Sequence, residues 1–297
     1  MAVDFTTLLV KNCIGKKLLK DPRFDFNENI NFDTGVQIDN KRVAEYHFCK
    51  IIVYDTGTVF FKGSLHKLYN SLNNILAPNF DNSKTYNGFN GNEFTMKMIE
   101  ETIKHLEIIF NLDRSNFEFK KLEIGTNVKT SFELPRILKS LLTLNGKRFE
   151  FRYNENFAQI EMDNYFVKIY NKTNQYEMKE NVLRIEIKTK RMVVFKECNL
   201  ITLEDLNPDN ITKALNLVLC RWEKVLMTDY TIDEASLART QKTALNNKFK
   251  HPTFWIGLKP NKRDTPKKQF QDIILNHSDQ IQRSISKSFL GNISHFN

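Results

Sequence analysis

The chain has 297 residues, of which 41% are hydrophobic and 27% charged, and this composition excludes a disordered polypeptide. Its apolar runs fall short of the roughly 18 residues that span a bilayer, and it shows no cleavable hydrophobic leader, so no membrane partner is expected. Four scattered cysteines without a CxxC pair exclude a disulfide scaffold and a zinc ribbon. We therefore expect a soluble, cytoplasmic protein.

Positive charge is concentrated near the C-terminus. From residue 239 onward there are eleven Lys and Arg against three acids, which gives +8 of the total net charge of +9. Such a segment is typical of a surface that binds a polyanion. It is equally typical of a solvated helical surface whose lysines keep a protein in solution. Charge alone leaves both interpretations open.

The periodicity along the chain predicts strands first and helices later. Residues 41–62 alternate and are rich in β-branched and aromatic types, and the turn sequence at 55–57 divides them, which predicts a β-hairpin. Residues 70–92 are rich in Asn and Gly and predict a loop. The elements predicted after that loop are a helix over Phe94–Phe110 capped by Thr95, a strand over 120–129, a short helix over 134–144, strands over 148–153, 157–162, 165–170 and 182–188, and helices over 211–227, 232–246 and 270–290.

These elements predict an α+β fold, an antiparallel sheet flanked by helices and followed by a helical basic C-terminal region. We expect two parts: an α+β domain over residues 1–200 and a helical basic domain or extension over residues 201–297. Within the second part, Phe254 and Trp255 stand among basic residues. They favour packing of the C-terminal helices, whereas the neighbouring lysines favour contact with DNA.

Parity along three predicted strands places polar side chains on one face, because successive side chains of a strand alternate. Glu123 opposes its apolar neighbours, Tyr170 shares a side with Lys168, and Glu186 lies between two isoleucines. If the strands share a sheet, two carboxylates able to hold a hard divalent cation lie beside an oxygen nucleophile. The alternative is that the two glutamates are solvent-facing strand residues and Tyr170 packs at a sheet rim.

Four sequence strings, taken in order, resemble replication initiators of the filamentous-phage gene II type and their plasmid relatives. They are residues 61–67 (FKGSLHK) with the Asn- and Gly-rich residues 86–92, residues 122–127 (LEIGTN), residues 169–172 (IYNK) and residues 183–186 (LRIE). Together they cover roughly residues 46–190. The chain is also similar to replication-type proteins of Bacteroidetes plasmids and phages.

The resemblance implies rolling-circle initiation in the cytoplasm of a bacterial host, with residues 1–200 as the catalytic or origin-binding domain. A tyrosine attacks one phosphodiester of origin DNA and leaves a 5′-phosphotyrosyl link with a free 3′-OH. Tyr170 is the expected nucleophile and Tyr165, in a YxxK pattern, is the reserve; Tyr176 comes third. Mg²⁺ or Mn²⁺ on Glu123 and Glu186 would polarise the phosphate, and the Lys168 or Lys172 ammonium would neutralise charge or protonate the departing oxygen.

Other residues are expected to contact single-stranded or duplex DNA. Gly63 permits close backbone approach and Ser64 offers a donor, although an ordinary strand-to-helix junction explains Ser64 as well. The basic segment either docks on duplex DNA or recruits a host helicase. The full set of predicted nucleic-acid contacts is Gly63, Ser64, His66, Lys67, Arg184, Lys188, Lys259, Lys262, Arg263, Lys267 and Lys268.

Two features depart from the pattern of rolling-circle nucleases. None of the six histidines forms a His-x-His metal pair, so a metal site must be built from carboxylates, and Asn171 stands where an aspartate often follows the tyrosine. A sequence-specific DNA-binding replication regulator without chemistry therefore stays open as the alternative. A structural or host-interaction protein is the third interpretation.

Overall fold

The described part of the chain, residues 3–30, 37–82 and 85–294 of the computed structural model, contains strands throughout its first two thirds and mostly helices after that. The strands are β1 (Val3–Val10), β2 (Phe26–Ile30), β3 (Gln37–Tyr46), β4 (Cys49–Tyr54), β5 (Val59–Ser64), β6 (Phe117–Lys129), β7 (Leu141–Leu144), β8 (Lys147–Arg148), β9 (Glu150–Arg152), β10 (Phe157–Glu161), β11 (Tyr165–Asn171), β12 (Val182–Thr189) and β13 (Val225–Met227). The helices are α1 (Gly15–Leu18), α2 (Leu65–Leu72), α3 (Met96–Phe110), α4 (Leu134–Ser140), α5 (Lys172–Tyr176), α6 (Pro208–Glu223), α7 (Arg239–Ala244), α8 (Pro252–Gly257), α9 (Asp264–His277) and α10 (Ile281–Ser294).

One large sheet carries ten of the strands in the order β2-β3-β4-β5-β1-β6-β12-β11-β10-β9. Each neighbouring pair in this order is antiparallel. The predicted α+β class, with an antiparallel sheet flanked by helices and a helical C-terminal region, is confirmed. The first strand of the chain lies in the middle of the sheet, between β5 and β6, and thereby joins the two halves.

Side-chain alternation gives the central strands one apolar face. Ile124, Ile185 and Ile187 are fully buried on that face. They belong to the same hydrophobic core as Ile285 and Phe289 of α10, and α10 packs against α6 and β6. Burying these side chains stabilises the fold by about 1.5–3 kcal/mol for each one. The opposite face of the same strands carries the polar side chains.

A second, smaller core lies in the C-terminal region. It joins Leu142 of β7 to Leu245, Phe249, Trp255 and Phe270. The Trp255 indole Nε1 donates a hydrogen bond to the Phe249 carbonyl at 2.8 Å, so the predicted packing role of Trp255 is confirmed. Helices α6 and α10 nevertheless share the main core with the sheet. The independence of the parts before and after residue 200 stays a prediction.

Several local predictions are confirmed and others are wrong at their ends. The hairpin of β4 and β5 turns at 55–57, and α3 begins after the Thr95 cap. The helix predicted to reach residue 144 ends at Ser140, because Leu141–Leu144 pairs with β13 as a strand. The helix predicted over 270–290 is two helices with a break at Gln280, whose φ is 54°. Residues 83–84 of the predicted loop lie outside the described residues.

Helices long and apolar enough to cross a bilayer are not found among the described residues.

Candidate active site

The two predicted carboxylates meet on the polar face of the central strands. Strand pairing sets Lys168 of β11 opposite Glu186 of β12, and Lys188 of β12 opposite Glu123 of β6. The Lys168 Nζ donates to Glu123 Oε2 at 2.9 Å and to Glu186 Oε1 at 3.2 Å. Gly125, opposite Glu186, keeps β6 close to β12, because a Cβ there would overlap the Ile185 carbonyl oxygen. Three strands thus bring both carboxylates to one ammonium.

Tyr170 lies beside this pair, half-buried at the wall of a cleft. Its hydroxyl donates to Glu186 Oε2 at 3.2 Å. Tyr170 and Glu123 line this cleft, whose volume is about 550 Å³. Burial of the phenol and the charge of Glu186 raise the pKa of Tyr170 well above its usual value. The phenol therefore keeps its proton at neutral pH until a reacting group changes its surroundings.

Glu186 is held ionised by its neighbours although it is only 1% exposed. Burial opposes ionisation, but the charges of Lys168 and Arg184 outweigh burial and lower the pKa of Glu186. The Arg184 Nε donates to Glu186 Oε2 at 2.8 Å. Glu123 differs, because burial and the nearby Glu186 charge raise the pKa of its carboxyl. Glu186 is therefore the ionised carboxylate that accepts the hydrogen bond of the Tyr170 hydroxyl.

A second group of polar side chains, which the sequence analysis missed, completes the cleft. Asp4 of β1 accepts hydrogen bonds from Ser64 Oγ and, at 2.6 Å, from Asn90 Nδ2. The Lys172 Nζ donates to Asn90 Oδ1 at 2.6 Å and lies 5.1 Å from the centre of the Tyr170 ring. A lone acid within a run of strand-type residues, Val3–Val10, was the one available signal for Asp4.

Lys172 is poised to exchange a proton near neutral pH. Burial lowers the pKa of its ammonium to about 7, against an ordinary value of 10.5. Such a group can act as an acid or a base in the same pH range. Its position at the start of α5, directly after β11, fixes it two residues from Tyr170.

The lowered pKa of Lys172 predicts a pH-dependent stability. Between pH 7 and about 10 the unfolded chain binds more protons than the folded chain, so the free energy of unfolding rises with pH. The slope contributed by this one residue approaches about 1.4 kcal/mol per pH unit. Urea denaturation between pH 7.5 and 9 should show a shallower slope for Lys172→Met than for wild type. Lys62→Met, at an exposed lysine of β5, is the control and should keep the wild-type slope.

The carboxylate pair does not fit a divalent cation as it is arranged. The point on which Glu123 and Glu186 converge is taken by the Lys168 ammonium, and both oxygens of Glu186 already accept hydrogen bonds. Within residues 3–30, 37–82 and 85–294 there is no group of three or more His, Cys, Asp or Glu that would hold a metal. The predicted Mg²⁺ or Mn²⁺ ion stays a prediction that requires Lys168 to move.

Two alternative nucleophiles lie outside this arrangement. The Tyr165 ring packs under the Arg221 guanidinium, 5.5 Å from its carbon, and borders a different pocket with Cys198 and Lys213. Tyr176 is buried in α5, and its hydroxyl donates to Asn90 Oδ1 at 2.5 Å. Neither phenol lines the cleft with Glu123. Tyr170 is thus the tyrosine that the structure places beside both the carboxylates and the opening.

Some predicted DNA contacts are corrected by their burial. His66 is fully buried and stacks on Phe94 with the ring centres 4.6 Å apart, and burial lowers its pKa to about 3. Arg184 is 0% exposed between Glu186 and Asp4. Gly63 packs so closely against Cys49 that a side chain would not fit, so the glycine is required for strand packing. These three residues are therefore not available to a DNA backbone.

The remaining predicted contacts fall into two groups. Ser64 and Lys67 line the cleft, Ser64 as the N-cap of α2, and Lys188 lies next to it in an ion pair with Glu123 at 3.2 Å. The basic residues of the C-terminal region lie outside the cleft. They lie between α8 and α9 and in the first half of α9. Arg263 packs against Gly146, Lys267 is half-buried and the others are exposed; the set is Lys259, Lys262, Arg263, Lys267 and Lys268.

Comparison with known proteins gives a distant structural likeness and no matching sequence. No protein-family model and no curated protein sequence matches this chain. Among solved structures, the chain is similar to a rolling circle replication initiator protein from Geobacillus stearothermophilus, with a TM-score of 0.40 and 10% sequence identity. The match covers 91% of this chain and 96% of that one. A likeness at this level transfers no residue and no activity between the two chains.

Proposed function

We propose that this protein initiates rolling-circle replication by cutting and rejoining one strand of origin DNA through Tyr170. The observation that carries the proposal is the Tyr170 hydroxyl, 3.2 Å from Glu186 Oε2 at the wall of the open cleft. Three of the four sequence strings that resemble gene II-type initiators contribute lining residues to this cleft, and the fourth contributes Glu186 beside it. Two lysines, Lys168 and Lys172, lie beside the phenol.

The proposed reaction is a transesterification. The Tyr170 Oη attacks the phosphorus, the bond from phosphorus to O3′ breaks, and a 5′-phosphotyrosyl link forms. The phenolic proton passes to Glu186 Oε2, and the departing O3′ takes a proton from the Lys172 ammonium. Attack by the free 3′-OH on the same link reverses these steps and rejoins the strand.

The two lysines beside the phenol have different electrostatic roles. Lys168 is tied to both carboxylates, which outweigh its burial and raise its pKa to about 12, so it stays charged. A permanent positive charge next to the phosphorus stabilises the negative charge that develops there during attack. A divalent cation on Glu123 and Glu186 would have to displace Lys168, so no step is routed through a metal.

The test is to map the covalent link. Purified full-length protein is incubated with supercoiled DNA that carries the replicon's origin, in parallel with Mn²⁺, with Mg²⁺ and with EDTA. The adduct is then digested and the modified peptide identified by mass spectrometry. We expect a 5′-phosphate on Tyr170. Binding without any adduct, or an adduct on Tyr165 or Tyr176, would contradict the proposal, and the first outcome would support a DNA-binding regulator.

The DNA partners follow from the same proposal. The cleft receives the strand that is cut, and the exposed basic residues around α9 dock on the flanking duplex or recruit a host helicase. Measuring DNA affinity against salt concentration distinguishes docking on duplex DNA from helicase recruitment, since affinity that comes from phosphate contacts falls steeply as the salt concentration rises.

A further inference from the structure

A row of aromatic rings leads from the rim of the cleft to the proposed nucleophile. Phe157 pairs with Tyr170 across β10 and β11, and their ring centres are 5.5 Å apart. Tyr153 follows on the outside, with its ring centre 5.9 Å from that of Phe157. Tyr153 is 76% exposed. An aromatic ring in such a position gains nothing from burial in the fold.

The backbone that presents Tyr153 is unusual. Tyr153, Asn154 and Glu155 have φ values of 55°, 52° and 63°, so three successive residues with side chains adopt the left-handed region. Each such residue is sparsely populated and costs free energy relative to an ordinary turn. The turn between β9 and β10 therefore holds Tyr153 out over the cleft at a cost to stability.

Another exposed ring stands at the far side of the cleft. Phe48, in the turn before β4, is 41% exposed and also has a positive φ, of 62°. In the sheet order, the strands that carry Glu123, Glu186 and Tyr170 lie between Phe48 and Phe157. A chain that crosses the cleft from one ring to the other therefore passes the proposed nucleophile.

The lining between these rings suits a nucleotide. Amide side chains, which donate to and accept from the edges of bases, come from Asn174 and Gln175. The Lys67 and Lys172 ammonium groups line the same space and complement phosphate. Aromatic faces, amide groups and cations together are the chemistry with which proteins hold unpaired nucleic-acid bases.

We propose that the cleft binds an unpaired base of the DNA strand, stacked on Tyr153 and Phe157 next to the phosphate that Tyr170 attacks. This inference rests on one part of the proposed function, namely that a DNA phosphate enters the cleft. Within a duplex, the base faces are covered by neighbouring bases. The site is therefore selective for single-stranded DNA at the point of cutting.

The test measures binding and does not depend on cutting. The probe is a thymidine strand of about twelve nucleotides with one central 2-aminopurine, whose fluorescence falls when it stacks on a ring; the same strand annealed to its complement is the duplex probe. All proteins carry Tyr170→Phe, which keeps the ring and prevents turnover. We expect the fluorescence of the single-stranded probe to be quenched. The dissociation constant of Tyr153→Ala for this probe should be roughly 5- to 100-fold larger than that of the parent. Tyr153→Trp should restore binding.

Tyr54→Ala is the matched control, because Tyr54 is an exposed tyrosine at the end of β4 that does not line the cleft. It should bind like the parent. Equal quenching in single strand and duplex, or a Tyr153→Ala constant within twofold of the parent, would overturn the inference. Stacking without any Tyr170 adduct on supercoiled DNA would instead overturn the proposed function alone.

Discussion

Tyr170→Phe should abolish the covalent protein–DNA adduct and lower the rate of nicking by a factor on the order of 10³ or more. The substitution removes the attacking oxygen and keeps the ring that packs on Phe157. It also removes one hydrogen bond to Glu186, which is worth about 1 kcal/mol. The variant should therefore fold and bind DNA. Denaturing gel electrophoresis of the labelled DNA after incubation measures the adduct directly.

Tyr165→Phe provides a matched control, because it makes the same change on the same strand five residues earlier. The Tyr165 ring lies against Arg221, outside the cleft. Adduct formation should be within about twofold of wild type. The opposite pattern, with activity retained in Tyr170→Phe and lost in Tyr165→Phe, would show that the reserve tyrosine of the YxxK pattern is the nucleophile.

Arg184→Met should lower the free energy of unfolding by about 3–5 kcal/mol, the usual cost of removing one partner of a buried ion pair. The guanidinium is 0% exposed, bonded to Glu186 and 3.8 Å from Asp4 Oδ2. Without it, two buried carboxylates keep their charge next to fewer cations. Urea denaturation at constant pH measures the loss as a shift of the midpoint.

Lys188→Met is the control for burial. Lys188 also pairs with a site carboxylate, Glu123, but its side chain is 39% exposed. The pair is screened by solvent, so removing it should cost less than about 1 kcal/mol. If both variants lose the same small amount, the Arg184 contacts do not stabilise the fold and the proposed charge network is wrong.

The shared polar face was predictable because β-strands repeat every two residues. Parity in three short strings placed Glu123, Tyr170 and Glu186 together, and the structure confirms that shared face through the hydrogen bond from Tyr170 to Glu186 and the two from Lys168. Tyr165 lies an odd number of residues before Tyr170 on the same strand, so its side chain points to the other face, where it borders a different pocket. The α+β class followed from the same alternation and from the later helical spacing.

The predictions that failed concern residues whose surroundings depend on contacts between distant parts of the chain. Parity assigns a face but not a partner, so it could not show that Lys168 would stand between the carboxylates or that Arg184 would be buried behind them. His66 follows a Gly-Ser pair that resembles a phosphate loop, yet α2 turns it towards Phe94. Asp4 gained its significance only when β1 took the central position in the sheet.

The central place of β1 has a consequence for how the protein is made. Asp4 is synthesised about 180 residues before its partner Arg184. At roughly 5–20 residues per second, this interval lasts on the order of ten to forty seconds. Until β12 has been made, the buried Asp4 carboxylate lacks its arginine and the cleft lacks Glu186. A nascent chain therefore carries only part of the charge network throughout that interval.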